Sequence, residues 1–210
     1  MVGKFVQSCL LAGWLFLMFF SVAFAQEADK NLLPNPSFEQ GQGSDGISII
    51  ASGITWKKAT YIKDPGKVIP ENEKENRPDS QSTLFRVEGG CTGKYAAALK
   101  LDSKDQWILA DCYRPLPQPA KPGDRYLFSV MAKSDNPVRI DLVTQVYGKA
   151  NKTDQERVRC NTTGEWQRYE NVLFLTANTT GSTQIRLIVQ LYNAPVVPVL
   201  FDDVKLEKLD

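Results

Sequence analysis

The sequence of 210 residues contains no histidine, and this absence excludes several kinds of active site. Without an imidazole there is no Ser–His–Asp or Cys–His machinery, no zinc site with histidine ligands and no histidine proton shuttle. A large excess of positive or negative residues is also missing, since the chain has 25 Lys and Arg residues and 24 Asp and Glu residues. This balance gives no electrostatic sign of a nucleic-acid partner or an anionic membrane surface. With 42% hydrophobic and 23% charged residues, the chain has the composition of a globular domain.

The long hydrophobic run at the N terminus has the pattern of a secretory signal peptide. Lys4 supplies a positive charge, Phe5–Phe20 is almost entirely apolar, and small residues precede Gln26 at positions −1 and −3. We therefore expect residues 1–25 to be removed and the protein to be secreted, to the periplasm or the exterior, without further membrane contact. An uncleaved membrane anchor is the alternative, although the run is short for a membrane span.

Cysteines are few, which limits redox and metal chemistry. The expected mature chain keeps Cys91, Cys112 and Cys160, and no two cysteines have the Cys-x-x-Cys spacing of a zinc or redox motif. Export would allow one disulfide among the three and leave one thiol over, and the spacing does not fix which pair forms. We expect these cysteines to be structural.

Beyond Gln26 the apolar residues alternate with a period of two, which predicts β-strands. Turn clusters rich in Gly, Pro, Asn and Asp separate the strands, and a charged segment with several prolines at 64–82 predicts a long loop. The sequence therefore predicts a single all-β domain at residues 26–210, folded as an antiparallel β-sandwich. The predicted strands are Tyr95–Leu101, Trp107–Tyr113, Arg125–Lys133, Val138–Tyr147, Glu156–Cys160, Trp166–Leu175, Gln184–Tyr192 and Val199–Glu207.

Six motifs in order along the chain resemble a known family. They are NLLPNPSFE at 31–39, GITW at 53–56, GKYAAAL at 93–99, KPGDRYLFS at 121–129, GEWQRY at 164–169 and VLFDDVKL at 199–206. The set resembles the cellulase-C-type carbohydrate-binding modules of families four, nine and twenty-two, over about residues 31–208. The resemblance implies a jelly-roll sandwich of the galactose-binding-domain type, often with a structural calcium ion, that accompanies glycoside hydrolases.

The last predicted strand places an acidic residue on its core side. Alternation puts Asp202 on the same face as the apolar residues two positions before and after it. A buried carboxylate is costly unless it is paired or bound to a metal, and hard oxygen ligands suit Ca²⁺. The resemblance implies such a site, with the side chains of Glu39 and Asp202 and carbonyls near Ser37 and Lys94. The alternative is an Asp202 that is hydrogen-bonded to backbone amides or to an arginine.

One outward-facing set on two predicted strands has the composition of a sugar-binding cleft, with flat rings beside amide and guanidinium groups. A solvated sheet face with scattered tyrosines is the alternative. For the strand at 107–113, alternation leaves open which face is buried. We expect Trp56 and Trp166 to fill the core or anchor a loop. The outward-facing set consists of Tyr147, Tyr192, Gln145, Gln190 and Arg186.

We interpret the chain as a secreted, non-catalytic carbohydrate-binding module stabilised by calcium. The adjacent carboxylates Asp202 and Asp203 point to opposite faces of a strand, so they cannot flank one glycosidic bond. No other acid–base pair is indicated, and we expect no catalytic residue. Two alternatives remain open: a structural or adhesive surface domain that binds protein, and an accessory component that associates with a separate glycoside hydrolase.

Overall fold

The computed structural model describes residues 31–33, 37–39, 41–42, 48–51, 54–62, 82–102, 105–192 and 197–210. The expected signal peptide lies outside these ranges, and so does the predicted loop at 64–82 except for Ser82. Among the described residues, no helix is long and apolar enough to cross a membrane.

Strands make up most of the described chain, with two short 3₁₀ turns at Lys149–Asn151 and Ala177–Thr179. The strands are β1 (Gly41–Gln42), β2 (Ser48–Ala51), β3 (Ile54–Ile62), β4 (Thr83–Glu88), β5 (Tyr95–Lys100), β6 (Asp105–Pro115), β7 (Arg125–Lys133), β8 (Arg139–Tyr147), β9 (Thr153–Asn161), β10 (Gln167–Phe174), β11 (Gln184–Tyr192) and β12 (Val199–Leu209).

The strands form two antiparallel sheets that pack face to face. The seven-stranded sheet has the order β1-β2-β3-β6-β11-β8-β9, and the five-stranded sheet has the order β10-β7-β12-β5-β4. This is the predicted all-β antiparallel β-sandwich. All eight predicted strands are present, with ends that differ from the prediction by three residues or fewer, whereas β1 to β4 were not predicted.

The hydrophobic core lies between the two sheets, because alternate residues of each strand point inward. The sequence did not determine which face of β6 is buried. In the structure, Ile108, Ala110 and Cys112 of β6 lie in the core. Trp56 also lies in the core, whereas Trp166 is only partly buried. The fully buried residues of one strand from each sheet illustrate the pattern: Ile185, Leu187, Val189 and Leu191 of β11, and Tyr126, Phe128, Val130 and Ala132 of β7.

An aromatic group joins distant parts of the chain inside this core. The ring centroids of Phe38 and Phe201 lie 5.5 Å apart, and those of Trp56 and Phe201 lie 5.7 Å apart. Burying side chains of this size contributes about 1.5–3 kcal/mol each. The group therefore fixes the N-terminal segment and β3 against the last strand.

The three cysteines of the described residues are all free thiols. Cys112 lies in the core, while Cys91 and Cys160 are partly buried. Burial raises the pKa of the Cys112 thiol well above its ordinary value. In the described part of the chain, no disulfide joins these thiols.

Candidate functional site

The predicted sugar-binding residues all lie on β8 and β11, whose alternation turns them to the outer face of the seven-stranded sheet, the face directed away from the core. Arg186 pairs in register with Gln145, and Tyr192 lies six residues further along β11. Because a strand rises about 3.3 Å per residue, Tyr192 is about 20 Å from Arg186. Gln190, between them, is buried. The structure therefore divides the predicted set into two groups at opposite ends of the outer face.

Arg186 is the centre of the first group. Its guanidinium forms an ion pair with Asp111, at 2.5 Å from Nη2 to Oδ2. Its Nη1 donates to the hydroxyl of Tyr147 at 3.2 Å and to Oε1 of Gln145 at 3.4 Å. Burial lowers the pKa of Arg186, but the charge of Asp111 and the hydrogen bond to Tyr147 outweigh it and raise the pKa above its ordinary value. A permanently charged guanidinium is thus held in a fixed orientation.

Two half-exposed tyrosines border a pocket at this end of the outer face. Tyr113 on β6 is 50% exposed and Tyr147 on β8 is 46% exposed. The guanidinium carbon of Arg186 lies 5.4 Å from the centroid of the Tyr113 ring. The pocket has a volume of about 290 Å³ and is otherwise lined by Gly148, Lys149 and residues 180–184. Tyr113 was missed from the sequence because the buried face of its strand was left open.

The segment after β10 forms one wall of this pocket, and Asp154 holds it in place. Asp154 is buried, and its Oδ2 accepts hydrogen bonds from the backbone N–H of Thr176 at 2.7 Å and from the hydroxyl of Thr179 at 2.5 Å. Its Oδ1 accepts from the hydroxyl of Thr176 at 2.7 Å. The hydroxyl of Ser182 donates to the carbonyl of Tyr147 at 2.5 Å. A hydrogen bond therefore joins the pocket wall directly to Tyr147.

The second group surrounds Asp141, which is fully buried on the outer face. Its carboxylate forms ion pairs with Arg157 at 3.0 Å, Arg139 at 3.2 Å and Arg159 at 3.8 Å. The hydroxyl of Tyr192 accepts a hydrogen bond from Arg157 at 2.5 Å, and the guanidinium of Arg139 lies 5.0 Å from its ring centroid. Tyr192 is therefore part of an arginine cluster and does not share a stacking surface with Tyr147.

An apolar patch separates the two groups. Leu109, Val143 and Ile188 are buried together on the outer face, and Trp107 packs against them. Alternation alone would leave these residues as ordinary surface positions. The sequence therefore located the outer face, but only the register between strands shows which residues meet on it.

The predicted calcium residues lie elsewhere, around the loop that connects β4 with β5. Asp202 is fully buried, but the predicted parity is wrong, since Val199 and Phe201 lie in the core and the register of β12 shifts between Asp202 and Lys205. The loop between β4 and β5 covers Asp202 instead. Its Oδ2 accepts hydrogen bonds from the backbone N–H groups of Cys91 and Thr92 at 2.7 and 3.1 Å. Among the described residues nothing donates to the buried Oδ1. Burial raises the pKa of Asp202, and hydrogen bonds from backbone N–H groups offset only part of that shift. A buried carboxylate oxygen without a partner suits a cation.

Glu39 binds the same loop from the N-terminal side. Its Oε1 accepts hydrogen bonds from the backbone N–H groups of Lys94 and Tyr95, at 2.9 and 2.8 Å. The Ser37 hydroxyl is hydrogen-bonded to that of Thr92 at 2.7 Å. The loop thus draws together Ser37, Glu39 and Asp202 from opposite ends of the described chain.

The carbonyl of Lys94 is less suited to the predicted calcium site. It already accepts hydrogen bonds from the N–H groups of Gly89 at 2.8 Å and Gly90 at 3.3 Å. In the described ranges, no three Asp, Glu, Cys or His side chains are grouped to hold a metal ion. The residues present fit a calcium ion only as two carboxylates supplemented by backbone or water oxygens, which Ca²⁺ accepts readily.

Solved structures with the same architecture identify the fold. A family 4 carbohydrate-binding module matches with a TM-score of 0.54 and 17% identity, over 84% of this chain and 99% of the module. A family 61 carbohydrate-binding module in complex with β-1,4-galactotriose matches with a TM-score of 0.53 and 19% identity, over 86% and 99%. A cyclase from Fischerella sp. TAU matches with a TM-score of 0.53 and 14% identity, over 84% and 96%.

These likenesses show that the chain has the jelly-roll fold of carbohydrate-binding modules, as the sequence resemblance implied. The cyclase shows that the same fold also serves an enzyme, so the fold alone does not decide between binding and catalysis. No protein-family model matches the sequence, and no curated protein matches it significantly.

Proposed function

We propose that the protein is a non-catalytic carbohydrate-binding module whose binding site is the pocket between Tyr113 and Tyr147. The observation that carries this proposal is the pair of half-exposed rings beside the fixed guanidinium of Arg186. Aromatic faces stack on the apolar faces of sugar rings, while amide, hydroxyl and guanidinium groups bond the sugar hydroxyls. At about 290 Å³ the pocket is close in size to the smaller ligand sites of proteins.

The lining of the pocket favours binding over catalysis. Hydrolysis of a glycosidic bond normally requires two carboxyl groups placed on either side of that bond. The lining residues comprise two tyrosines, a lysine, glycines, hydroxyl residues and a glutamine, without Asp or Glu. The ligand seen in the family 61 module, β-1,4-galactotriose, supports a sugar as the ligand class.

The alternative of a protein-binding surface has less support. The large hydrophobic residues that are exposed in the described part of the chain are Tyr113, Tyr147 and Phe174. The two tyrosines border the pocket, while Phe174 lies on β10 at the edge of the other sheet. They form no contiguous apolar patch of the kind that marks a protein interface.

The proposed module is secreted and holds a structural calcium ion. The signal-peptide pattern supports secretion. Outside the cell membrane, the module would act beside a separate glycoside hydrolase. The unpartnered Oδ1 of Asp202, with Glu39 on the same loop, supports a structural Ca²⁺ ion. Such an ion would neutralise Asp202 and connect the last strand to the N-terminal segment.

Removing either tyrosine tests the binding site. We expect Tyr113→Ala and Tyr147→Ala each to weaken glycan binding by about 1–3 kcal/mol, by analogy with base–aromatic stacking. A glycan array with the wild-type protein identifies the ligand, and titration calorimetry then measures the variants. Phe174→Ala is the matched control, because it removes an exposed ring from the other sheet. Wild-type affinity in both tyrosine variants, or no glycan bound by the wild type, contradicts the proposal.

A further inference from the structure

The arginine cluster, composed of Arg139, Arg157 and Arg159, carries more positive charge than its surroundings neutralise. The ion pairs of all three guanidinium groups go to the single carboxylate of Asp141. Three positive charges against one negative charge leave an excess of two within a chain whose formal net charge is +1. The excess of positive charge is therefore confined to this cluster and is not visible in the overall composition.

The cluster is open to solvent at one edge of the sheet. Strand β9, which carries Arg157 and Arg159, is the last strand of the seven-stranded sheet. The side chains of Arg139, Arg157 and Arg159 are 44%, 31% and 65% exposed. Arg159 has the longest ion pair, at 3.8 Å, and the greatest exposure. Its guanidinium has free donors in the planar arrangement that binds carboxylate or sulfate through two hydrogen bonds.

The other two arginines are held in place before any ligand arrives. Arg157 donates to both Asp141 and the hydroxyl of Tyr192, and Arg139 donates to Asp141 while its guanidinium lies near the ring of Tyr192. Side chains that are already ordered lose less conformational entropy on binding. The guanidinium groups also repel one another, and an incoming anion reduces that repulsion. The cluster therefore has both the charge and the rigidity of an anion-binding site.

Strand β9 runs from beside the pocket between Tyr113 and Tyr147 to the arginine cluster. In the register of β8 and β9, Gln145 pairs with Gln155, and Arg157 and Arg159 follow on the same face of β9. At about 3.3 Å per residue, the two arginines lie about 7 and 13 Å from the row of Gln145. Gln145 is hydrogen-bonded to Tyr147, which lines the pocket, and to Arg186 beside it. One extended ligand can therefore contact the tyrosines and the arginines together.

We propose that the ligand of this face is an anionic polysaccharide, and that the arginine cluster binds its carboxylate or sulfate groups. This inference rests on the proposed carbohydrate-binding function and names the chemical class of its ligand. A nucleic acid is also an extended anion, but a formal net charge of +1 gives no electrostatic sign of such a partner.

Four probes distinguish the possibilities: a 1,4-linked polyuronate, the neutral polymer made by reducing its carboxyl groups, a sulfated polysaccharide and a single-stranded oligonucleotide. We expect an acidic polysaccharide to bind at least about tenfold more tightly than the neutral polymer, as for charge-assisted hydrogen bonds. The preference should shrink as salt is added. The tighter of the two acidic probes assigns the cluster to carboxylate or to sulfate.

Variants of the exposed arginines make the test specific. Arg159→Gln and Arg139→Gln should each weaken binding of the acidic polymer about tenfold and leave binding of the neutral polymer unchanged. Arg168→Gln is the control, because Arg168 is a similarly exposed arginine on the five-stranded sheet, paired with Glu170. Equal binding of acidic and neutral polymers, wild-type affinity for the acidic polymer in both variants, or a preference for the oligonucleotide overturns this inference. Failure of all the polysaccharides to bind overturns the proposed function itself.

Discussion

Gly148, which follows β8, has no side chain, and the segment that forms the pocket wall packs directly against its backbone. A Cβ atom added at Gly148 would lie 2.0 Å from the carbonyl oxygen of Asn178 and 2.9 Å from its carbonyl carbon. Both are backbone atoms, so they cannot rotate away as the end of a flexible side chain would. A side chain at this position must therefore displace the segment that forms the wall of the pocket.

Substitution of this glycine should affect both stability and binding. We expect Gly148→Ala to cost about 1–3 kcal/mol, as overpacking does. In a chain of this size that lowers the melting temperature by about 2–4 °C per kcal/mol, and glycan affinity should fall as the wall moves. Thermal unfolding and titration calorimetry measure the two effects. Gly164→Ala, where a Cβ meets nothing within 4 Å, is the control. A melting temperature equal to that of the control contradicts the prediction.

At the scale of elements, the charge of Asp154 connects β9 to the segment after β10. Burial raises its pKa, but hydrogen bonds from Thr179 and Thr176 outweigh burial, so the pKa of Asp154 lies below its ordinary value of 3.8. A depressed folded pKa stabilises the protein at pH values above the ordinary one. That stabilisation is lost as the pH falls through the folded pKa. The pocket wall is therefore sensitive to acid.

Replacement of the carboxylate tests this link. We expect Asp154→Asn to lower stability at neutral pH, because an amide nitrogen replaces one of two accepting oxygens. The variant should then lose less stability than the wild type between about pH 5 and pH 2, since it has no carboxylate to protonate. Thermal unfolding across this range measures both. Asp135→Asn, which changes an exposed carboxylate in a turn, should behave as the wild type does. Parallel acid profiles for Asp154→Asn and the wild type contradict the assignment.

Alternation predicted the strands from β5 onward but not β3 or β4, and two basic residues explain the difference. Lys58 shares the inward parity of Trp56, and its Nζ donates to the carbonyl of Ser82 at 2.6 Å. Arg86 shares the parity of Leu84, and its Nε donates to the carbonyl of Phe38 at 2.8 Å. A charged residue at an inward position breaks the hydrophobic pattern. Its backbone partner lies far away in sequence, so the pattern could not reveal it.

The sequence predicted which face of the sheet carries the candidate site residues. It did not predict where along that face each residue lies. Parity is a property of one strand, and it placed Tyr147 and Tyr192 together on the outer face. Register is a property of strand pairs, and it separates them by most of the length of β11. The arginine cluster needed register as well, since Arg139 and Arg159 belong to different strands that meet only through pairing.

For the molecule as a whole, the loop between β4 and β5 joins both ends of the described chain. Glu39 and Asp202 bind its backbone amides from opposite sides. The two ends are also joined directly, since the N–H of Leu32 donates to the carbonyl of Leu206 at 2.7 Å. The proposed calcium ion would strengthen a junction that already exists, so its removal should weaken the sandwich without abolishing it.

Metal removal tests this junction. Calcium that binds only the folded state adds about 2.7 kcal/mol at 100 times its Kd, so a chelator should lower the melting temperature of the wild type. Asp202→Asn should remove this response, because the substitution keeps the shape of the side chain and loses its charge. Asp203→Asn is the control, since Asp203 has a φ of 45°, which Asn tolerates. Identical wild-type melting curves with and without chelator contradict the calcium site.

The central place of β12 in the five-stranded sheet determines when that sheet can be assembled. Its partners are made much earlier, since Phe201 pairs with Ala97 and Leu206 pairs with Phe128. During synthesis β5 and β7 therefore emerge long before the strand that separates them, and their unpaired edges remain open to other chains. Contacts between such distant residues also slow folding. The sheet is completed by the last of the described strands to be made, and aggregation competes with folding until that strand arrives.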